Sequence, residues 1–387
     1  MSSTNSNHHR RKLLMPPSAL ERIYAEDVQA ILAHDLPWQA FDGMTIAVTG
    51  AGGFLGGYLL RTLLALNDSG RLSRPLTVRA LVRDIARTRS RLPPKLANHR
   101  RLQWMEWDLN RIAIPPLGHC HYVLHAASQA SPRFYGVDPV GTLLPNAVGT
   151  AGLLQALQSC DDPRGFLFIS SSEVYGSSTH NRPLSELDYG TQDPATVRAC
   201  YAESKRLGET LCVAWHQQYR LPAFIVRPFH TYGPGLRAED GRSYADFSYN
   251  VIRNENIVIN GDGAATRAFC YASDAISGIF TALLKGQPGK PYNVANPQAR
   301  LTIRELAELL VNLYPEKGLS LEYKNPAKNG SYLSSAFDCL IPDVQRLESL
   351  GWKARIGPEH GFGRMIEAMS ECARPVSGNV AIEARLG

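Results

Sequence analysis

The chain has 387 residues, of which 44% are hydrophobic and 20% charged, as in an ordinary globular protein. These proportions exclude a largely disordered or fibrous chain, and the length suits two domains or one large α/β unit with additions. The formal net charge of +6 permits an anionic partner without specifying one. No uninterrupted apolar stretch of about 18 residues occurs, so no membrane span is predicted.

The cysteines and the N-terminal segment indicate in which cellular compartment the protein is expected. The seven cysteines are widely spaced, without a Cys-x-x-Cys pair, which favours free thiols over a disulfide framework or a metal site. Residues 1–17 are polar and basic, with one basic run at residues 8–12 and no apolar core of a signal peptide. We therefore expect a disordered leader on a cytoplasmic protein.

The first predicted element is an amphipathic helix over residues 18–34. Ser18 and Glu21 have the spacing of a capping box, and apolar residues then recur at helical intervals. This apolar stripe must pack on something. Its own domain is the favoured partner, and a second subunit is the alternative.

Short apolar runs then alternate with helical patterns. Strands are predicted at residues 44–49, 78–82, 122–124, 165–169 and 223–226. This alternation predicts an α/β fold with a Rossmann-like, doubly wound parallel sheet. After about residue 230 the alternation weakens, which indicates a smaller C-terminal domain of mixed α/β structure.

Three glycines lie between the first strand and its helix. In that context Gly50 allows a tight turn, Gly53 lets the backbone approach a pyrophosphate, and Gly56 allows close helix–strand packing. The free N–H groups at the helix N-terminus then favour the phosphates. The loop predicts a dinucleotide site.

The second strand ends at Val82 and is followed by Arg83 and Asp84. A carboxylate at this point accepts the ribose hydroxyls and favours NAD, whereas an arginine pairs with the 2′-phosphate of NADP. Both residues are also compatible with simple solvated charges. We favour NAD with Asp84 as the ribose partner and keep NADP with Arg83 open.

Tyr201 and Lys205 are four residues apart and therefore share one face of a helix. A tyrosine with a pKa near 10 is a poor base at neutral pH. A nearby ammonium and the positive charge of the cofactor would lower that pKa. Tyr201 could then remove a hydroxyl proton while hydride leaves the same carbon.

The string SSSEVYG (residues 170–176) directly follows a predicted strand. A hydroxyl at this point can hold the reacting oxygen of a substrate in place. Glu173 adds a carboxylate close to that hydroxyl, although a surface role at the strand end is the alternative for it.

The strings TGAGGFLG (49–56), YAESK (201–205) and SSSEVYG together resemble the extended short-chain dehydrogenase/reductases, in their nucleotide-sugar epimerase/dehydratase branch. The Ser-Glu pair at Ser172 and Glu173 is similar to that of UDP-glucuronate decarboxylases. So are ASQASPRFY (127–135), RACY (198–201), DGR (240–242) and TRAF (266–269). The resemblance covers about residues 44–353.

The resemblance implies a carboxy-lyase that decarboxylates UDP-glucuronate through a 4-keto intermediate to UDP-xylose or its 4-keto form. It implies catalytic roles for Tyr201, Lys205, Ser171, Glu173 and Arg267. It implies cofactor contacts for Gly50, Gly53, Phe54, Leu55, Gly56, Arg83, Asp84, Asp108, Ala126, Ala127, Tyr201 and Lys205. It implies substrate contacts for Ser172, Pro132, Tyr135, His230, Arg242 and Arg267.

The resemblance also implies a domain plan and a partner. Residues 1–43 form an extension, 44–230 the NAD-binding domain with the catalytic residues, 231–366 mainly the substrate domain and 367–387 a tail. A homodimer would pair through helices near residues 146–158 and 201–219. Neither a nucleic acid nor a membrane is expected as a partner.

Two positions depart from the family pattern. His230 stands where an asparagine near the substrate phosphates is usual, so a different nucleotide or sugar stays open, as does a packing role for the imidazole. Cys339, Leu340 and Ile341 replace a basic run, so one anionic contact could be missing.

Other functions compete with this prediction. Dehydration is disfavoured by Ser172, where an aspartate is expected, and simple 4-epimerisation by Glu173. A non-catalytic NAD-binding regulator is disfavoured by the intact Ser171, Tyr201 and Lys205 set. A nucleic-acid binder is disfavoured because the basic run is short and has no interleaved aromatic residues.

Overall fold

The computed structural model describes residues 18–177, 182–324 and 339–373. The basic run at residues 8–12 and residues 374–387 of the predicted tail lie outside these ranges, and the described side chains do not include those of Cys339 and Leu340. The five cysteines described in full are free thiols, as predicted: Cys120, Cys160, Cys200, Cys212 and Cys270.

Helices and strands alternate along the described chain. The helices are α1 (Ala19–Leu32), α2 (Phe54–Asp68), α3 (Ile85–Arg89), α4 (Pro94–Ala97), α5 (Pro139–Asn146), α6 (Val148–Gln158), α7 (Cys200–Tyr219), α8 (Ser243–Arg253), α9 (Ala272–Lys285), α10 (Ile303–Leu313), α11 (Gln345–Glu348) and α12 (Pro358–Ala373). The strands are β1 (Thr45–Thr49), β2 (Thr77–Val82), β3 (Leu102–Glu106), β4 (Tyr122–His125), β5 (Gly165–Ile169), β6 (Ala223–Pro228), β7 (His230–Tyr232), β8 (Ile257–Asn260), β9 (Thr266–Tyr271), β10 (Pro291–Val294), β11 (Arg300–Thr302), β12 (Leu321–Lys324) and β13 (Cys339–Leu340).

The predicted doubly wound parallel sheet is confirmed. Seven strands lie in the order β10-β6-β5-β4-β1-β2-β3, and every neighbouring pair is parallel. The strand order reverses between β1 and β4, and ligands of such sheets bind at the carboxyl ends of the strands beside this point. The glycine loop lies there, directly after β1.

The second lobe is less continuous than its sequence pattern suggests. It contains a four-stranded sheet of β7, β9, β11 and β13, and the separate pair β8–β12. Between β9 and β11, however, α9 and β10 return to the first lobe, where β10 becomes its edge strand beside β6. The expected tail from residue 367 is also helical as far as Ala373, as part of α12.

Helix α1 packs on its own chain, as favoured. Ser18 caps it by accepting a hydrogen bond from the backbone N–H of Glu21 at 3.2 Å, and Ile23, Ile31 and Leu32 are buried. The carboxylate of Asp27 is buried as well, where it accepts three hydrogen bonds from the lobes on either side. These come from Tyr58 Oη (2.7 Å), Tyr271 Oη (3.0 Å) and Arg364 Nη2 (2.8 Å).

The segment Pro139–Gln158 is apolar and long enough to span a membrane, and 56% of it is buried inside the fold. It is two helices, because Pro145 lies inside α5 and Ala147 separates α5 from α6. Partial burial of this kind is typical of a core helix in a globular protein.

Candidate functional site

The glycine loop has the geometry of a dinucleotide cradle. Gly50 adopts a φ of +65°, and a Cβ there would lie 2.9 Å from the backbone of Ala127. A Cβ on Gly56 would lie 2.1 Å from the carbonyl oxygen of Gly50. Gly53 precedes α2 without any side-chain cap. The backbone N–H groups of Phe54 and Leu55, at the start of this helix, therefore stay available. The loop therefore fits the pyrophosphate of NAD.

Thr49 joins the ends of β1 and β4 behind this loop. Its hydroxyl oxygen accepts hydrogen bonds from the N–H groups of Ala126 and Ala127, each at 3.1 Å, and donates to Nδ1 of His125 at 2.8 Å. Nε2 of His125 then donates to the carbonyl of Pro145 at 3.1 Å. Burial and the Lys205 charge lower the pKa of His125 to about 3, so the imidazole is neutral and holds the cofactor-facing backbone.

The acidic residues predicted to face the adenosine lie just after the ends of the neighbouring strands β2 and β3. Asp84 is exposed, and its carboxylate accepts the N–H of Arg87 at 2.8 Å, which caps α3. Asp108 accepts the N–H of Asn110 at 3.0 Å after β3. Arg83 is exposed at the end of β2.

Tyr201 and Lys205 lie on one face of α7, both almost fully buried. Lys205 Nζ donates to the carbonyl of Ile169 at 2.6 Å and lies 5.7 Å from the centre of the Tyr201 ring. Burial raises the pKa of Tyr201 to about 12, and a hydrogen bond with Ser171 offsets only part of this effect. Desolvation thus opposes the lowering of this pKa that is expected from Lys205 and from the charge of a bound cofactor.

Desolvation lowers the pKa of the lysine, whereas it raises the pKa of the tyrosine. Burial lowers the pKa of Lys205 to about 7, although the Glu209 carboxylate opposes the change. Lys205 and the positive charge of a bound cofactor remain the two groups expected to favour tyrosinate.

Ser171 and Glu173 follow β5 and face α7. The Ser171 hydroxyl accepts the N–H of Glu173 at 3.2 Å and so caps the short turn Ser172–Tyr175. The two carboxylate oxygens of Glu173 accept hydrogen bonds from Nη2 of Arg198, at 3.1 and 2.9 Å. Ser172 is buried within this turn.

Arg198 is the site residue that sequence reasoning missed. The RACY string, of which it is the first residue, is the signal that could have indicated it. Its side chain is 14% exposed, and its guanidinium lies 5.0 Å from the centre of the Tyr135 ring. Its Nε and Nη1 atoms are buried without a hydrogen-bond partner among the described residues. Three N–H groups of Arg198 therefore have no hydrogen-bond partner among the described residues.

Two loops meet over the site. Tyr135 stacks on Tyr201 with ring centres 5.1 Å apart, after a short turn that begins at Pro132. Arg242, predicted to contact substrate, donates to the carbonyl of Ala130 and to the hydroxyl of Tyr244, both at 2.7 Å. Its guanidinium therefore fastens the two loops together, and a substrate phosphate would have to share it.

His230 and Arg267 come together from β7 and β9, where His230 pairs with Phe269. Burial, followed by the charges of Arg267 and Arg242, holds the pKa of His230 well below its usual value. Its Nδ1 is buried without a partner in the described chain. Arg267 donates from Nη1 to the carbonyl of Thr266 at 2.8 Å and is 7% exposed. A neutral histidine thus lies close to the charges of two arginines.

Comparisons with known proteins point to one family of enzymes. The model of the "NAD dependent epimerase/dehydratase family" matches residues 46–295. UDP-glucuronic acid decarboxylase 6 of Arabidopsis thaliana is 31% identical over 327 residues, which are 84% of this chain and 88% of that protein. UDP-glucuronic acid decarboxylase 1 of Xenopus tropicalis is 30% identical over 329 residues, 84% of this chain and 72% of that protein.

Solved structures show the same fold at lower identity. UDP-glucose 4-epimerase of Thermotoga maritima, with UDP-glucose, has a TM-score of 0.71 and 21% identity, and the match covers 86% of this chain and 100% of that one. UDP-glucuronic acid 4-epimerase of Bacillus cereus, in complex with UDP-glucuronic acid and NAD, has a TM-score of 0.69 and 23% identity over 85% and 100%.

Proposed function

Because this chain belongs to the NAD-dependent epimerase/dehydratase family, we propose that it is the enzyme that decarboxylates UDP-glucuronate. The observation that supports this reaction best is the Arg198–Glu173 pair, which holds a carboxylate next to Ser171 and Tyr201. A simple epimerase needs no such carboxylate. The relatives named as UDP-glucuronic acid decarboxylases support the same substrate.

The cofactor supplies one chemical capacity, the removal of hydride from C4 of the sugar and its later return. Tyr201 takes the proton of the 4-hydroxyl, which Ser171 holds in place. The resulting 4-keto acid loses CO₂ because the carbonyl accepts the electrons of the breaking bond. Glu173 and Arg267 control the protonation of C5 that follows. Arg267 also binds the carboxylate or a phosphate of the substrate.

Product analysis tests the reaction. With UDP-glucuronate we expect CO₂ together with UDP-xylose or its 4-keto form, detected by NMR. UDP-galacturonate as the product would identify an epimerase instead. Turnover confined to neutral nucleotide sugars, with a 4-keto-6-deoxy product, would identify a dehydratase.

Arg198 provides a sharper test of the carboxylate. Arg198→Met is expected to lower kcat on UDP-glucuronate about 10–100-fold, because a charge-assisted hydrogen bond of about 1.5–3 kcal/mol no longer holds Glu173. Arg198→Lys should recover part of the loss. Arg164→Met, which removes a surface pair with Asp162 at 2.7 Å, is the control and should leave kcat unchanged. Equal kcat for the Met variant and the wild type would contradict the role.

We also propose a homodimer in the cytoplasm, where the free thiols would persist. Val140 on α5 and Leu207 on α7 are 60% and 45% exposed on neighbouring helices, and a second copy would cover them. Leu207→Glu is expected to convert a dimer to a monomer in sedimentation velocity. Tyr323→Glu, at an exposed position on β12, should not change the mass. A monomeric wild type would contradict the dimer.

A further inference from the structure

A buried ion pair lies behind the loop that follows β5. It joins Glu209 on α7 to Arg227 on β6, with Nη2 of Arg227 donating to Oε2 of Glu209 at 2.6 Å and Nε donating to Oε1 at 2.9 Å. The two side chains are 12% and 5% exposed. Residues 170–175 of the loop, which we call the serine segment, carry both Ser171 and Glu173. The ion pair contacts this segment at both of its ends.

The first contact is at the start of the serine segment. Ser170 is 3% exposed, and its hydroxyl donates to Oε1 of Glu209 at 2.5 Å. Its backbone N–H donates to the carbonyl of Val226 on the neighbouring strand at 2.8 Å. A hydrogen bond to a carboxylate is stronger than one between neutral groups. The residue that directly precedes Ser171 is therefore held firmly to α7.

The second contact is at the end of the serine segment. Nη1 of Arg227 donates to the hydroxyl of Tyr175 at 3.1 Å, and this hydroxyl donates to Oδ1 of Asn293 at 2.6 Å. Burial raises the pKa of Tyr175 to about 12, so the hydroxyl keeps its proton. Arg206 on α7 adds a further attachment, because its Nε donates to the carbonyl of Val174 at 2.8 Å. The proposed catalytic groups thus lie between two fixed ends.

The stability of the core does not require such an ion pair. Removing two charges from water costs much of the energy that their attraction returns, and apolar side chains of similar volume often stabilise a core as well. A buried pair does fix distances, since a displaced partner would leave a charge unpaired. The same face of α7 carries Tyr201 and Lys205, two turns and one turn before Glu209. The pair therefore connects the serine segment to the helix of the proposed base.

We propose that Glu209 and Arg227 are positioning residues, which fix the serine segment relative to Tyr201 on α7. They act through Ser170 and Tyr175 and not on the substrate itself. The inference rests on the proposed function, because the groups that the ion pair positions are those that act in the proposed reaction.

Ser170→Ala is the mildest way to detach the serine segment. The substitution removes one hydroxyl and leaves the ion pair in place, so the protein should fold. We expect kcat on UDP-glucuronate to fall about tenfold, because small displacements of positioned groups strongly reduce the rate, while KM stays within about twofold of wild type. Tyr175→Phe should have a smaller effect in the same direction, since Arg206 still holds the carbonyl of Val174.

Hydrogen exchange of the full-length protein tests the attachment without a substrate. The backbone amides of residues 170–176 should exchange several-fold faster in Ser170→Ala than in wild type. Ser277→Ala is the matched control, because Ser277 on α9 is also buried and its hydroxyl donates to the carbonyl of Asp274 at 2.8 Å. This variant also loses a buried hydrogen bond, but it should change neither kcat nor the exchange of residues 170–176.

The outcomes separate this proposal from the proposed function. Equal kcat or equal exchange for Ser170→Ala and wild type would overturn the positioning role, as would an equal loss of kcat in Ser277→Ala. A wild type that releases no CO₂ from UDP-glucuronate would instead overturn the proposed function. The exchange experiment needs no nucleotide sugar, so it would still decide whether the ion pair holds the serine segment.

Discussion

Replacing Tyr201 with phenylalanine is expected to lower kcat on UDP-glucuronate by about 10²–10⁴-fold, the usual contribution of a positioned acid–base group. The tyrosine ring is buried and stacks on Tyr135 with ring centres 5.1 Å apart, and phenylalanine preserves that packing. The substitution removes one hydroxyl and its hydrogen bond with Ser171. Turnover should therefore fall while the fold and the bound dinucleotide are retained.

The measurement compares kcat with the amount of dinucleotide bound per chain. Tyr189→Phe is the matched control, because this tyrosine is 78% exposed and should tolerate the loss of its hydroxyl without a change in kcat. If Tyr201→Phe kept activity within a few-fold of wild type, Tyr201 could not be the base. Loss of the dinucleotide would instead show that the hydroxyl serves cofactor binding.

The largest effect on stability is expected at Asp27. Asp27→Ala leaves Tyr58 and Tyr271 without the acceptor of their buried hydroxyls, and Arg364 without its buried partner. Buried donors left unpaired cost about 1–3 kcal/mol each, and breaking a buried ion pair costs about 3–5 kcal/mol. Because the three donors share one carboxylate and Arg364 keeps its pair with Glu26, these costs overlap, and we expect the free energy of unfolding in urea to fall by about 3–5 kcal/mol.

Glu26→Ala is the control for this prediction. Glu26 pairs with the same Arg364 at 2.7 Å, but its side chain is 43% exposed, so its loss should cost less than about 1 kcal/mol. Equal losses for the two variants would show that Asp27 contributes only as a surface charge. Burial raises the pKa of Asp27, so its carboxylate depends on these three donors to remain charged.

Local patterns predicted the parts of the fold that local forces determine. β1, β5 and the cap of α1 follow from apolar runs and from the Ser18–Glu21 spacing, and the glycine loop follows from backbone geometry. β3 was not predicted because its burial is partial and its side chains alternate irregularly. The return of β10 to the first sheet could not be predicted, because the sequence of a short strand does not indicate which strand it pairs with.

Long-range contacts account for the misses in the site. Arg198 meets Glu173 across 25 residues, and Arg364 meets Asp27 across 337, so neither pair could be found from spacing. The electrostatics of Tyr201 and Lys205 depend on burial, which is a property of the folded chain. A sequence shows which groups can titrate, whereas the packing around them determines the direction of the shift.

The return of β10 also determines how the two lobes can move. The chain passes from the first lobe to the second after β6, comes back at α9, leaves again after β10 and returns once more at α11 before α12. Because the chain passes between the two lobes several times, no single linker can act as a free hinge. Neither lobe corresponds to one continuous stretch of chain, so a single proteolytic cut cannot release it.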